Sequence, residues 1–207
     1  VKYRLWSLLL SLTVMVTVWA ESSDFGFKPL RNKIRTKEDY FRLFNQWLYQ
    51  DMDSVSRNIF FLELAYVMPY DHPIKALTPI TNEMQYLHYQ YLLMMQICQL
   101  LTQSYIDYGY MYMKEHIYFF NEEFKTNYLQ GYDISEFYFT KARQYWDETI
   151  QHAKMAYETR FYKTDLLYME DMVYRIRDGD LNYYKVIDNL MYRIERNRAE
   201  IKRRWGE

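Results

Sequence analysis

Apolar residues recur along most of this chain at steps of three and four, the spacing that gathers them on one face of a helix. Tyr40, Leu43, Phe44, Trp47 and Leu48 follow a Thr36/Asp39 capping pair and predict a first helix. Val55, Ile59, Leu62 and Tyr66 predict a second, capped by Asp53 or Ser54. Pro69, Pro73 and Pro79 then make 68–79 a loop, because proline lacks a donor and disfavours helix before it. The longest stripe runs Met84, Leu87, Tyr91, Met94, Cys98, Leu101, Tyr105, Tyr108, Tyr112, an a/d seam. Leu92, Leu93, Met95, Ile97, Leu100 and Ile106 widen it beyond one seam, which predicts a central helix contacted on several sides.

Glycines divide the rest. Gly109 is expected to weaken or break the central helix, leaving a further one at about 110–125 with Met113, Ile117, Phe120 and Phe124, before Gly131 ends the run. The next is expected to open at Ile134 behind Asp133 or Ser135, with Phe139, Ala142, Trp146, Ile150, Ala153 and Tyr157 as its stripe. Ala142, Ala153 and Ala156 would let a neighbour come close. Leu166, Met169, Val173 and Ile176 mark a helix stopped around Asp178, Gly179 and Asp180, and Tyr183, Ile187, Leu190, Ile194 and Ile201 mark the last. No stretch alternates cleanly with period two, so the fold class is all-α, six to eight helices, arranged as irregular stacked hairpins or a helical bundle.

Composition agrees. Of 207 residues 50% are hydrophobic and only 5 are Gly and 4 Pro, too few turn-formers for a chain of many short elements. The net charge of −1 carries no general nucleic-acid footprint. The single cysteine, Cys98, can close no intrachain disulfide, and its neighbours Met94, Met95, Ile97 and Leu101 predict a buried thiol.

Lys2 and Arg4 precede an apolar run over 5–20 that ends in Val18, Trp19 and Ala20, with small side chains at the two positions read by signal peptidase. The run is shorter than the ~20 residues that span a bilayer. A signal peptide over 1–20, a loosely docked leader over 21–35 and one helical domain over 36–207 are therefore expected. The product would be periplasmic or secreted, with membrane contact at most peripheral.

No pattern carries an enzyme's chemistry. The serines sit in no Gly-x-Ser-x-Gly elbow, and the glycines are too scattered for a phosphate loop. Glu148 and His152 share a helix face, and Glu115, His116, Glu122 and Glu123 add ligand types, yet no histidine pair supports a metal and a solvated face suffices. His72 and His88 have no acidic partner at useful spacing. No catalytic residue, cofactor or metal is expected.

The 24 tyrosines are the main anomaly, concentrated after Tyr86 in groups such as Tyr108/Tyr110/Tyr112 and Tyr183/Tyr184. Tyrosine presents a large apolar face with a hydroxyl that tolerates water, which suits both a boundary between helices and a binding surface. The terminal helix adds Arg198, Arg203, Arg204 and Trp205, either solvated decoration of a helix C-terminus or a basic patch with an aromatic anchor.

The run Lys141, Ala142, Arg143, Gln144, Tyr145, Trp146 continuing to Ala153 resembles the small-and-aromatic hairpins of degenerate tetratricopeptide-type repeats. With the export pattern and the tyrosine-rich helices, it is similar to periplasmic helical-repeat proteins of spirochaetes, some of which scaffold the flagellar-motor collar. That resemblance implies assembly through protein–protein contact, without turnover. The expected function is thus a non-enzymatic scaffold or adaptor that binds a protein partner or a second copy through aromatic helix faces. The competing expectation is a periplasmic ligand-binding protein or cell-envelope enzyme whose cleft joins residues distant in sequence.

Overall fold

The computed structural model describes residues 34–44, 52–113, 122–159 and 161–205. The predicted signal peptide and nearly all of the leader lie outside the described residues, as do Trp47, Leu48, Ile117 and Phe120. Within the described residues the chain is all-α: α1 Lys37–Phe44, α2 Met52–Val67, α3 Glu83–Tyr112, α4 Lys125–Glu158, α5 Leu167–Asp178 and α6 Tyr183–Trp205, with short 3₁₀ turns at Pro73–Lys75, Glu122–Phe124 and Thr164–Leu166.

The body is built on an antiparallel pair, α3 against α4, of 30 and 34 residues. At 1.5 Å per residue these span ~45 and ~51 Å. Their register is set by close contacts along the whole length: Gly109 opposite Phe139, Tyr105 opposite Tyr138 and Tyr145, Tyr91 opposite His152, and His88 opposite Thr159.

Two glycines permit the approach. A Cβ on Gly109 would lie 2.8 Å from the Phe139 ring, and one on Gly131 would lie 2.9 Å from the Tyr112 carbonyl oxygen. Both glycines are therefore helix-packing residues and not breaks. Of the helix expected at 110–125, residues 110–112 end α3 and 122–124 form the turn leading into α4, while the stretch over 114–121 lies outside the described residues. The cap expected at Asp133 or Ser135 is likewise corrected, because α4 already runs from Lys125. Buried Ser135 instead donates to the carbonyls of Gly109 and Gly131 at 2.9 and 2.8 Å. Similarly, α2 is already helical at Met52, so Asp53 and Ser54 fall inside its first turn.

On one side of the hairpin α1 and α2 pack together and onto α3. Lys37 Nζ donates to the carbonyls of Ala65 and Tyr66 at 2.6 Å each and lies 5.1 Å from the Tyr70 ring centroid, so an α1 cation closes the C-terminal end of α2. Burial pulls its ammonium down to about 8. Beside it, fully buried Glu38 accepts from Tyr89 Oη and the Asp71 amide at 2.9 and 2.8 Å.

On the other side α5 and then α6 follow one another along α4. Gly179 joins them at φ 83°, a left-handed stop that a side chain would strain. Asn82 caps α3 by accepting from the Gln85 amide at 2.9 Å, while the Gln85 side chain returns to the Thr81 amide at 2.8 Å. The core follows the predicted stripes: Ile59, Leu62, Leu92, Leu93, Ile97, Cys98, Leu101, Phe139, Ala142, Trp146, Ile187 and Ile194 are buried. The α3 seam departs at its start, where Met84 is exposed and the neighbouring His88 and Tyr89 take the interior, and the α4 stripe departs at its end, where Tyr157 is exposed.

Candidate functional site

At the N-terminal end of α3, where α4 ends and α5 begins, two ionisable side chains meet inside the protein. His88 Nε2 lies 2.8 Å from Glu170 Oε1, and its other ring nitrogen lies 2.5 Å from Thr159 Oγ1. The Thr159 hydroxyl spends its one proton on the Ala156 carbonyl, 2.6 Å away, so toward His88 it can only accept. Glu170 Oε1 also accepts the Lys163 amide at 2.7 Å. Both imidazole nitrogens are therefore engaged inside the protein, one with Thr159 and one with Glu170. This corrects the expectation that His88 lacks an acidic partner: the partner comes from another helix.

Glu170 is 3% exposed, yet its second oxygen, Oε2, makes no hydrogen bond among the described residues. It lines a cavity of about 340 Å³, together with His88, Ala156, Tyr157, Phe161, Tyr162, Val173 and Tyr174. Oε2 is not among the buried side-chain atoms that lack a partner, so solvent reaches it, and a donor entering this cavity would replace water there. The walls are aromatic. Tyr157, Tyr162 and Tyr174 are each more than 40% exposed at the mouth, and Phe161 tilts against His88 with ring centroids 6.0 Å apart. Tyr157 and Tyr174 meet edge to face at 6.1 Å. The Arg177 guanidinium lies 4.7 and 4.9 Å from their two centroids, held by an ion pair with Asp178.

Of the tyrosines singled out in the sequence, Tyr108 is buried, Tyr112, Tyr183 and Tyr184 are half-buried, and Tyr110 is exposed. Tyr108 is 8% exposed and packs edge to face on Tyr138 and Tyr112, the half-buried Tyr112 meeting it hydroxyl to hydroxyl at 3.2 Å. Tyr183 packs edge to face on Trp146 and hydrogen-bonds Gln99 and Gln103, while Tyr184 donates to Asp147 under the Arg143 guanidinium. Tyr110 is 43% exposed. Arg198 bridges α6 to α4 through Asp133 and Glu136 at 2.5 and 2.6 Å; Arg203 and Arg204 both pair with Glu200, holding its carboxyl down at about 2; Trp205 packs against the core. The basic stretch is thus largely matched by acids of its own surface.

Glu148 and His152 do not share a ligand geometry. Glu148 accepts from the Tyr66 hydroxyl at 2.9 and 2.7 Å, and among the described residues His152 Nδ1 is buried without a partner. Burial lowers the His152 imidazole below the ordinary histidine range, with Glu148 opposing and Lys37 adding to the shift. Cys98 is buried, and burial beside Glu148 pushes its thiol up, which makes it inert. Among the described residues no group of three or more His, Cys, Asp or Glu side chains could hold a metal.

A family model described as a domain of unknown function (DUF8513) matches residues 84–204. The chain belongs to this family. The matched stretch opens one residue into α3 and closes one residue short of the end of α6, so the family domain contains every side chain that lines the cavity, while α1 and α2 lie outside it. No curated protein and no solved structure matches the chain.

Proposed function

We propose that this protein is an exported, non-enzymatic adaptor that binds a protein partner at the aromatic mouth of the α4–α5 cavity. The observation that carries the reading is the concentration of exposed rings there: Tyr157, Tyr162 and Tyr174 ring a cavity deep enough to take a side chain. Exposed aromatic groups around a pocket are the anchoring pattern of protein interfaces. Binding is favoured over catalysis because the cavity's only acid–imidazole pair is committed internally. Both His88 nitrogens and Glu170 Oε1 are tied to Thr159, Lys163 and each other, and among the described residues no Ser or Cys lines the cavity. Export rests on the basic-then-apolar pattern over 1–20.

The test is affinity capture after crosslinking in envelope fractions, comparing the wild-type chain with a Tyr162→Ser/Tyr174→Ser variant. One protein recovered in fixed proportion with the wild type and lost with the variant is expected. Equal recovery with both would place the surface elsewhere, and recovery of a free monomer from both would defeat the adaptor reading.

A further inference from the structure

The geometry points to a cation as the group this cavity takes: the side-chain ammonium or guanidinium of a Lys or Arg on the partner, with its N–H donated to Glu170 Oε2 and its stem against the tyrosine rings. The inference rests on the adaptor reading and specifies its chemistry. Three observations converge on it. Glu170 Oε2 makes no hydrogen bond among the described residues and is reached by solvent, and as a carboxylate oxygen it can take only a donor from a ligand. His88 does not fill that role, because both its ring nitrogens are already engaged by Thr159 and Glu170 Oε1. Finally, the walls suit positive charge: Tyr157, Phe161, Tyr162 and Tyr174 offer ring faces and edges, and the Arg177 guanidinium already lies within 5 Å of two of them. Arg177 is itself held outside by Asp178 and is not among the cavity's lining groups. An anion would meet a carboxylate, and a purely apolar side chain would leave Oε2 unmatched.

The experiment is an NMR titration followed on the Val173 methyls, using Nα-acetyl-lysine-N-methylamide, its near-isostere Nα-acetyl-norleucine-N-methylamide, and n-butylammonium. The lysine probe is expected to bind ~10-fold more tightly than the norleucine probe, with that preference abolished by Glu170→Gln. Tyr174→Leu, on the exposed rim, should weaken the lysine probe ~3–10-fold with the fold intact, and it serves as the deciding variant if Glu170→Gln does not fold. Equal affinity for lysine and norleucine, no shift with either, or an unchanged affinity in Tyr174→Leu overturns the inference. Binding of n-butylammonium without the lysine probe also overturns it, by assigning the site to a free amine. Loss of the lysine preference while partner capture persists sinks this inference alone; loss of capture with the preference intact sinks the adaptor reading alone.

Discussion

His88 and Glu170 stand 82 positions apart and meet with Nε2 2.8 Å from Oε1, buried between the start of α3 and the first turn of α5. This pair fastens α5 to the central hairpin and forms the floor of the cavity. Breaking a buried pair by removing one member leaves the other uncompensated, whereas replacing both with apolar groups does not. His88→Leu and Glu170→Leu should each lower unfolding free energy by ~3 kcal/mol, and the double substitution should recover most of that loss. Urea denaturation of the three variants checks it; additive losses would mean the two side chains do not act as a pair.

Gly131 gives a prediction whose sign separates two accounts. In a free helix, Gly→Ala stabilises by ~1 kcal/mol. Here the new methyl would stand 2.9 Å from the Tyr112 carbonyl oxygen, a backbone atom. Gly131→Ala should therefore destabilise by ~1 kcal/mol net, overpacking exceeding the propensity gain. A rise in thermal midpoint would contradict the close approach of α3 and α4.

Stability should fall on mild acidification because of His152. Burial keeps its folded imidazole below the ordinary histidine value, against Glu148 one turn away and alongside Lys37 and the Tyr91 ring. In the unfolded chain the ring takes a proton near pH ~6.5, where the folded ring resists it, so protons favour unfolding as pH drops through and below that value. His152→Leu should flatten this part of the pH–stability profile. A profile as steep in the variant as in the wild type would assign the effect to other groups.

The arginines of α6 should differ in worth. Arg198 joins two helices through two carboxylates and is partly buried, so Arg198→Ala should cost ~1 kcal/mol. Arg203 pairs with Glu200 on its own exposed helix face, where solvent screens the charges, so Arg203→Ala should change stability clearly less than Arg198→Ala. Equal costs in thermal denaturation would contradict the bridging role.

Periodicity sufficed where burial follows a single stripe. The α6 residues Ile187, Leu190, Ile194 and Ile201 and the Gly179 stop are legible because each depends on neighbours within a few positions. Sequence alone reads Gly109 and Gly131 as breaks because a glycine's poor helix propensity is a local property, while what each permits is contact with the facing helix, at Phe139 for Gly109 and at Tyr112 for Gly131. The tyrosine rows show the same limit: spacing puts Tyr108 and Tyr112 on one face of α3, but only α4, by placing Tyr138 against them, makes that face interior. The cavity itself combines residues from 88, 156–162 and 170–174, and no spacing rule joins those segments.

The central claim is that binding occurs at the α4–α5 cavity and not along the α3 tyrosines or α6. Position-resolved photocrosslinking tests it most directly, with benzoylphenylalanine placed in turn at Tyr162, Tyr110 and Tyr192, all exposed in the free protein. A partner adduct from position 162, absent from 110 and 192, is the predicted result. Adducts from 110 or 192 with none from 162 would contradict it.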